Sequence, residues 1–399
     1  MISRTPFYPR LNELNESQLW THWAGYLSAL QYGPSPKHEY FAVRNSAGLF
    51  DTSPLHKYWI RGRDAEAFLA GVLTRDIRSC RPGRAHYTVW CDDAGYVIED
   101  GVVFRHSDTE FLLTAAAPNL GYFSDLVGRL DVSIEEVTGA YGMLAVQGPR
   151  SREILARLAP EVAEIPYFGH TQAKIGPAPV TISRTGYTGD LGYEVMVAAD
   201  DAVGVLDDVL DAGSGRGVRP FGEKALLMLR IEAGLALMNV EFSSSRLAFT
   251  DHGRVTPKEL GFGWMLRGLD DESRPFVGRR AIRRELAEKT SRWASVGLWI
   301  DWQAYDRLYA DAGLIPPKDE HPLGYESMLY DDDGGRIGYA TSLMYSPVLQ
   351  RHIAMARVHP AHAAKGSWVN VEITIHHEYR TVPAEVDRLP LFAPERKTA

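Results

Sequence analysis

The segment from residue 86 to residue 105, HYTVWCDDAGYVIEDGVVFR, brings a phenol and two carboxylates into a setting suited to acid–base or electrostatic chemistry. Two runs rich in β-branched and aromatic residues flank DDAG, and that arrangement predicts a β-hairpin with a tight turn. If the turn centres on Asp93 and Ala94, Tyr87 lies directly opposite Asp100, with Cβ atoms about 4.5 to 5.5 Å apart. The hairpin therefore predicts one pocket wall that carries both Tyr87 and Asp100.

Glu99 and Asp100 are adjacent, and neighbouring side chains of a regular strand point to opposite faces. Asp100 shares its face with Ile98. We therefore expect Asp100 to be the half-buried acid and Glu99 to face solvent or a second layer. The alternative that Asp100 merely pairs with an arginine stays open at this point.

A second candidate is TGYTGDLGYE, residues 185 to 194, where three glycines and two tyrosines precede or begin a predicted strand that contains Glu194. Glycines allow backbone bends and close approach of a ligand. A carboxylate on a rigid strand can accept two parallel N–H bonds from a flat heterocycle such as a pterin. For this segment alone, an ordinary hairpin turn with aromatic packing is the simpler interpretation.

The stretch EKALLMLRIEAGLALMN, residues 223 to 239, predicts a helix that ends at Gly234 and embeds Arg230 and Glu232 in apolar surroundings. Buried charges need partners. A structural ion pair is the simpler explanation, and a role in holding an anionic or pterin ligand is the alternative.

Composition limits the class of function. The chain has 399 residues, a net charge of −8, two cysteines and no basic stripe, so we expect no nucleic-acid partner and no disulfide framework. No apolar run approaches the roughly 20 residues that span a bilayer, and the first residues lack a signal-like core, which predicts a cytoplasmic protein without a membrane partner. His376 and His377 are adjacent in a strand-like run, so we expect no metal site.

The elements that position these residues fall into an α+β pattern followed by a β-rich region. Strand-like and helix-like segments alternate from about residue 55 to 140, and a similar series follows. After Gly278 short strands separated by turns predict a β-barrel-like domain. We expect a catalytic region over 1–277, made of two interleaved subdomains of which one spans about 55–140, and a C-terminal domain over 278–399.

Several segments, in this order, resemble the folate-binding aminomethyltransferase family, which includes the glycine cleavage T-protein and tetrahydrofolate-dependent demethylases. The similar segments cover most of the chain: HEYFAVRNSAGLFDTS (38–53), HYTVWCDDAGYVIEDGVV (86–103), LAVQGP (144–149), RTGYTGDLGYEV (184–195), LRIEAG (229–234), GFGW (261–264), FVGRRAI (276–282), TSLMYSP (341–347) and AMARV (354–358).

The resemblance implies two interleaved ferredoxin-like α/β sandwiches and a C-terminal β-barrel-like domain, in a cloverleaf around a central folate channel. It implies tetrahydrofolate as the cofactor and a one-carbon unit as the group transferred. It also implies roles for particular residues: Asp100 and Tyr87 would be catalytic, and the residues that bind the folate would be Glu194, Tyr187, Arg230 and Trp264.

Departures from the family pattern concentrate where the donor is expected. Glycine-cleavage members read D-V-S-H-M where this chain has DTSPLHK, an asparagine where it has Ala115, and a second aspartate where it has Glu99. This asymmetry favours a small methylated donor, which would make the chain a demethylase. The alternatives are an aminomethyltransferase that acts on a lipoylated carrier protein, and a non-catalytic folate-binding protein.

Overall fold

The computed structural model describes residues 2–318, 322 and 326–399; the remaining residues of the predicted 278–399 domain lie outside that set. The helices are α1 (Tyr8–Leu14), α2 (Pro36–Asn45), α3 (Ala65–Val72), α4 (Leu120–Val127), α5 (Ser151–Ala156), α6 (Ala202–Ala212), α7 (Glu223–Glu232), α8 (Arg279–Glu288) and α9 (Trp302–Asp311). The strands of the first two sheets and the N-terminal hairpin are β1 (Leu19–Trp23), β2 (Tyr26–Gln31), β3 (Gly48–Asp51), β4 (His56–Arg61), β5 (Arg84–Cys91), β6 (Val97–Arg105), β7 (Glu110–Ala115), β8 (Ser133–Glu136), β9 (Tyr141–Gln147), β10 (His170–Ile175), β11 (Ala178–Ser183), β12 (Gly192–Ala198) and β13 (Arg219–Pro220). The later strands are β14 (Ala294–Ile300), β15 (Ser327–Tyr330), β16 (Arg336–Ser346), β17 (Arg351–Val358), β18 (Trp368–Ile375) and β19 (Glu378–Asp387).

Two sheets are interleaved in the chain. One is antiparallel with the order β5-β6-β7-β4-β8, and the other has the order β10-β11-β12-β9-β3-β13. Strands β3 and β9 pair with each other although every strand of the first sheet lies between them in sequence. The first sheet buries Trp90 and Tyr58 against α3 and against Phe123 of α4, and the second buries Tyr193 and Val195 against α5 and α6.

The C-terminal strands form a closed barrel in the order β14-β17-β16-β15-β18-β19. Its interior is filled by aliphatic side chains such as Leu298, Val358, Val371 and Val382. Successive side chains of a strand point to opposite sides of the barrel wall, so alternate residues face its interior. The mixed α/β architecture with a C-terminal barrel confirms the predicted fold class.

The register of the β5–β6 hairpin differs from the prediction. Tyr87 lies opposite Val102, and Asp100 lies opposite Val89. The turn is one residue longer than expected, because Asp92 and Tyr96 close it by a backbone hydrogen bond of 2.9 Å. A β-bulge beside Trp90 and Cys91 shifts the pairing by one more residue.

His376 and His377 also depart from the predicted strand, since both have positive φ and lie in the turn between β18 and β19. Within the described ranges, no cluster of three or more histidine, cysteine, aspartate or glutamate side chains is arranged to hold a metal ion. Among the same residues, no helix is both long and apolar enough to cross a membrane.

Candidate active site

A cavity of about 1620 Å³ is lined by residues from both sheets and from the start and end of the barrel. Strands β5 and β6 contribute Tyr87 and Asp100, strand β12 contributes Glu194, and the loop before β12 contributes Tyr187. Trp264 lines the same cavity from the segment that follows α7. The fold therefore brings together five of the six residues proposed from the sequence.

Tyr87 and Asp100 are in direct contact despite the changed register. The Tyr87 hydroxyl donates a hydrogen bond of 2.7 Å to Asp100 Oδ2. Residues two positions apart diagonally on one face of an antiparallel pair lie close enough for a tyrosine to span the gap. Burial raises the pKa of Asp100, whereas the Tyr87 hydrogen bond lowers it.

Glu99 was expected to face either solvent or a second layer, and it does not face solvent. Only 1% of the residue is exposed, and it lies behind the strand that presents Asp100. Its Oε1 accepts a hydrogen bond of 3.0 Å from the Asp100 backbone N–H, while its buried Oε2 has no hydrogen-bond partner in the described part of the chain. Burial, followed by the charge of Asp100, raises the pKa of Glu99, which favours its protonated form.

Glu194 lies on β12 with only 8% of its surface exposed. The Thr185 hydroxyl donates to Glu194 Oε2, and this is the carboxylate's only hydrogen bond to a described residue. Burial raises the pKa of Glu194, and the Thr185 hydrogen bond and the Lys57 ammonium oppose that change. Lys57 is itself fully buried and donates to the Ser53 and Leu55 carbonyls, and burial lowers its pKa to about 8.

The glycines beside Glu194 are needed for close packing of the loop. A Cβ at Gly186 or at Gly192 would lie 2.0 or 2.2 Å from the Gln147 Oε1 atom. The Gln147 amide donates to the carbonyls of Thr185 and Tyr193, at 3.1 and 3.0 Å. Sequence reasoning missed Thr185 and Gln147 as supports of Glu194, although both lie inside the segments RTGYTGDLGYEV and LAVQGP.

Two aromatic side chains of the cavity wall differ in how firmly they are held. The Tyr187 hydroxyl donates to the Ala236 carbonyl, which ties the glycine loop to the segment after α7. Trp264 is 44% exposed, and the Arg75 guanidinium lies 5.1 Å from its ring centroid. Phe262 packs edge-on against Tyr87 at 5.5 Å, so the wall offers aromatic surface beside the Tyr87–Asp100 pair.

Arg230 is the sixth proposed residue, and it lies behind the cavity rather than in its wall. It is 1% exposed and makes an ion pair of 2.7 Å with Glu241 and a hydrogen bond of 2.8 Å to Ser342. Glu232, one helical half-turn away, accepts bonds from Arg44 and Ser346, each at 2.5 Å. The ion-pair interpretation of this helix therefore describes the observed contacts of both charges.

These residues fit a reduced pterin. One edge of the Glu194 carboxylate is held by Thr185, and the residue borders a cavity large enough for a drug-sized ligand. A flat heterocycle with neighbouring N–H donors would satisfy such a buried acid. Aromatic side chains on the same cavity wall supply apolar surface for its rings.

Comparisons with known proteins cover most of the chain. Residues 13–267 match the family described as GCVT N-terminal domain, and residues 312–392 match the glycine cleavage T-protein C-terminal barrel domain. An aminomethyltransferase of Streptomyces coelicolor is 34% identical over 378 residues, which is 93% of each chain. A trimethylamine-oxide aldolase of Ruegeria pomeroyi is 32% identical over 99% of this chain but only 48% of its own length.

A solved structure is similar over nearly the whole chain. The glycine cleavage system aminomethyltransferase T of Bartonella henselae superposes with a TM-score of 0.81 and 22% identity, covering 98% of this chain and 99% of that one. This likeness supports the fold. The matched family domains and the Streptomyces relative identify the family. The chain belongs to the folate-binding aminomethyltransferase family, a family of tetrahydrofolate-dependent transferase enzymes.

Proposed function

We propose that this enzyme transfers a one-carbon unit to tetrahydrofolate within the cavity shared by Glu194 and Asp100. The observation that carries the proposal is the placement of a buried acid, Glu194, and a half-buried acid, Asp100, with different partners in one cavity. When bound, tetrahydrofolate supplies a nucleophilic ring nitrogen. Glu194 holds the pterin edge by accepting its N–H bonds, and Tyr187 and Trp264 border the bound rings.

Asp100 acts beside the reacting atoms. Tyr87 fixes the orientation of its carboxylate and lowers its pKa, so the carboxylate is held ready to stabilise positive charge or to accept a proton. A fixed carboxylate in a partly buried site stabilises charge more strongly than one in water. The protonated form of Glu99 avoids placing a second negative charge directly behind Asp100.

For the donor, the aminomethyl group of a lipoylated carrier protein is the better-supported candidate. Relatives called aminomethyltransferase match 93 to 98% of this chain, and no relative reported above supports a demethylase specifically. A small methylated donor remains the second candidate because Ala115 and Ala116 line the cavity where the family pattern leads us to expect an asparagine.

Product analysis separates the candidates. Incubation with tetrahydrofolate and an aminomethylated lipoyl carrier should yield methylene-tetrahydrofolate and ammonia. A methylated donor should instead yield 5-methyltetrahydrofolate, which mass spectrometry distinguishes. Tetrahydrofolate binding without turnover of any donor would favour the non-catalytic alternative, and absence of tetrahydrofolate binding would overturn the proposal.

A further inference from the structure

Three arginines line one side of the cavity without a carboxylate partner. Arg75, Arg81 and Arg84 all border the cavity, and none makes an ion pair with a residue of the described ranges. Arg75 and Arg84 are half-buried. Among the described residues, their side chains donate hydrogen bonds only to the carbonyls of Tyr87 and Tyr167, at 3.4 and 2.9 Å respectively.

Among the buried arginines of the described residues, Arg274 and Arg357 also contact no carboxylate and bond to carbonyl or hydroxyl oxygens instead; Arg75, Arg81 and Arg84 differ from these two in bordering the cavity. Arg44, Arg105 and Arg230 each contact at least one carboxylate. Asp76, the acid next to Arg75 in sequence, is engaged by Arg78 instead. Guanidinium groups that border a cavity and have no carboxylate of the described chain beside them keep N–H donors free for an anion from outside the chain.

His86 lies on the same wall. It is 8% exposed, lines the cavity, and its buried Nδ1 has no hydrogen-bond partner among the described residues. Burial, followed by the positive charges of Arg75 and Arg84, lowers the pKa of His86 to about 4. The ring is therefore neutral near pH 7 and carries one N–H donor and one acceptor nitrogen.

We infer that Arg75, Arg84 and His86 form a carboxylate-binding subsite for a ligand of this cavity. Guanidinium groups present a planar pair of N–H donors that matches a carboxylate. Arg75 also contacts the Tyr87 carbonyl and the Trp264 ring, which joins the subsite to the aromatic wall beside Asp100. The carboxylate would belong either to the glutamate of tetrahydrofolate or to an acid group of the donor. In this respect the inference rests on the proposed function.

Direct binding measurements on the full chain separate these sources. The first arm compares tetrahydrofolate with tetrahydropteroate, which lacks the glutamate, by calorimetry. The second arm compares benzoate with uncharged benzamide, with and without saturating tetrahydropteroate. Each is measured for the wild type, for the double variant Arg75→Gln/Arg84→Gln, and for Arg283→Gln, an exposed arginine of α8 outside the cavity wall.

We expect the wild type to prefer the carboxylate member of at least one pair by roughly tenfold to a hundredfold, the usual range for a charged hydrogen-bonded contact. The double variant should lose that preference, and Arg283→Gln should keep it. Loss in the first arm identifies the folate glutamate, and loss in the second identifies a donor-type acid. An unchanged preference in the double variant, or no preference in the wild type, overturns the subsite. If neither pterin binds the wild type, the proposed function fails, while the benzoate arm still tests the subsite.

Discussion

The Tyr87 hydroxyl and the Asp100 carboxylate are joined by a 2.7 Å hydrogen bond that crosses the β5–β6 ladder diagonally. Asp100 lies opposite Val89, and Tyr87 is two residues before Val89 on the neighbouring strand, so the tyrosine side chain reaches Asp100 diagonally. The pair joins a partly buried acid to a neutral phenol whose own pKa is raised well above its usual value, chiefly by burial. This makes Tyr87 a donor over the whole physiological pH range.

Replacing Asp100 by asparagine should abolish most turnover without preventing folate binding. Asparagine keeps the shape of the side chain but removes its charge, and we expect kcat to fall by about 10²- to 10⁴-fold, the usual contribution of a general acid or base. Steady-state kinetics and a tetrahydrofolate titration check both parts. A variant with wild-type kcat would remove Asp100 from the reaction.

Replacing Tyr87 by phenylalanine should shift the pH profile. The Tyr87 hydrogen bond lowers the pKa of Asp100, so its loss should raise that pKa further. If activity requires ionised Asp100, the acidic limb of the kcat profile moves to higher pH. A profile measured from pH 5 to 9 that superposes on the wild type would contradict this role.

Replacing Glu194 by glutamine should weaken tetrahydrofolate binding by roughly tenfold to a hundredfold, because charge-assisted hydrogen bonds to the pterin edge are lost. Glutamine is nearly isosteric, so the cavity should stay intact. Fluorescence or calorimetric titration measures the change. Glu288→Gln, at an exposed position of α8, is the matched control and should bind as the wild type does.

Replacing Glu99 by glutamine should alter the pH dependence of stability. The folded state holds Glu99 protonated, with its pKa raised by burial, whereas the unfolded carboxyl ionises above about pH 4.5. Wild-type stability therefore falls as pH rises above that value, and Glu99→Gln removes this loss. Between pH 5 and 7.5 the variant should gain roughly 3 kcal/mol relative to the wild type, at about 1.4 kcal/mol per pH unit. Urea unfolding at both pH values measures the difference, and parallel pH curves would show that Glu99 is ionised in the folded protein.

Replacing Gly189 by alanine should destabilise the loop before Glu194. Gly189 has φ of +73°, and an added Cβ would lie 2.4 Å from the Ala233 Cβ. Left-handed backbone and overpacking together should cost about 2 to 4 kcal/mol. Gly121→Ala, in α4 with open space around it, is the control and should be neutral or slightly stabilising. Equal unfolding midpoints for the two variants would contradict the packing argument.

The sequence predicted the general arrangement of the site better than its exact geometry. Alternation and turn residues were sufficient to place Tyr87 and Asp100 on one face, because the side-chain period of a strand survives a shift of two residues. The longer turn and the β-bulge were missed since neither has a sharp local signature. Glu99 was harder still, because its burial depends on helices packed against the far side of the sheet.

Contacts between distant segments explain the remaining differences. Arg230 was recognised as a buried charge from its apolar neighbours. Its partners Glu241 and Ser342 lie in a loop and in β16, and the periodicity of the sequence does not predict contacts between such segments. That Arg75 contacts no carboxylate among the described residues is likewise a property of the assembled cavity. Motif resemblance identified residues that line the site and did not distinguish a lining residue from one directly behind it.

Two buried charges of α7 are hydrogen-bonded to hydroxyls of the barrel strand β16, Arg230 to Ser342 and Glu232 to Ser346. The barrel thus completes the interior of the region that precedes it, and separating the two would leave these charges short of partners they cannot replace from water without opening the core. Displacement of β16 would then destabilise α7 and the segment that follows α7 along the cavity. These two hydrogen bonds couple the barrel to the two sheets. We therefore expect one cooperative unfolding transition rather than two.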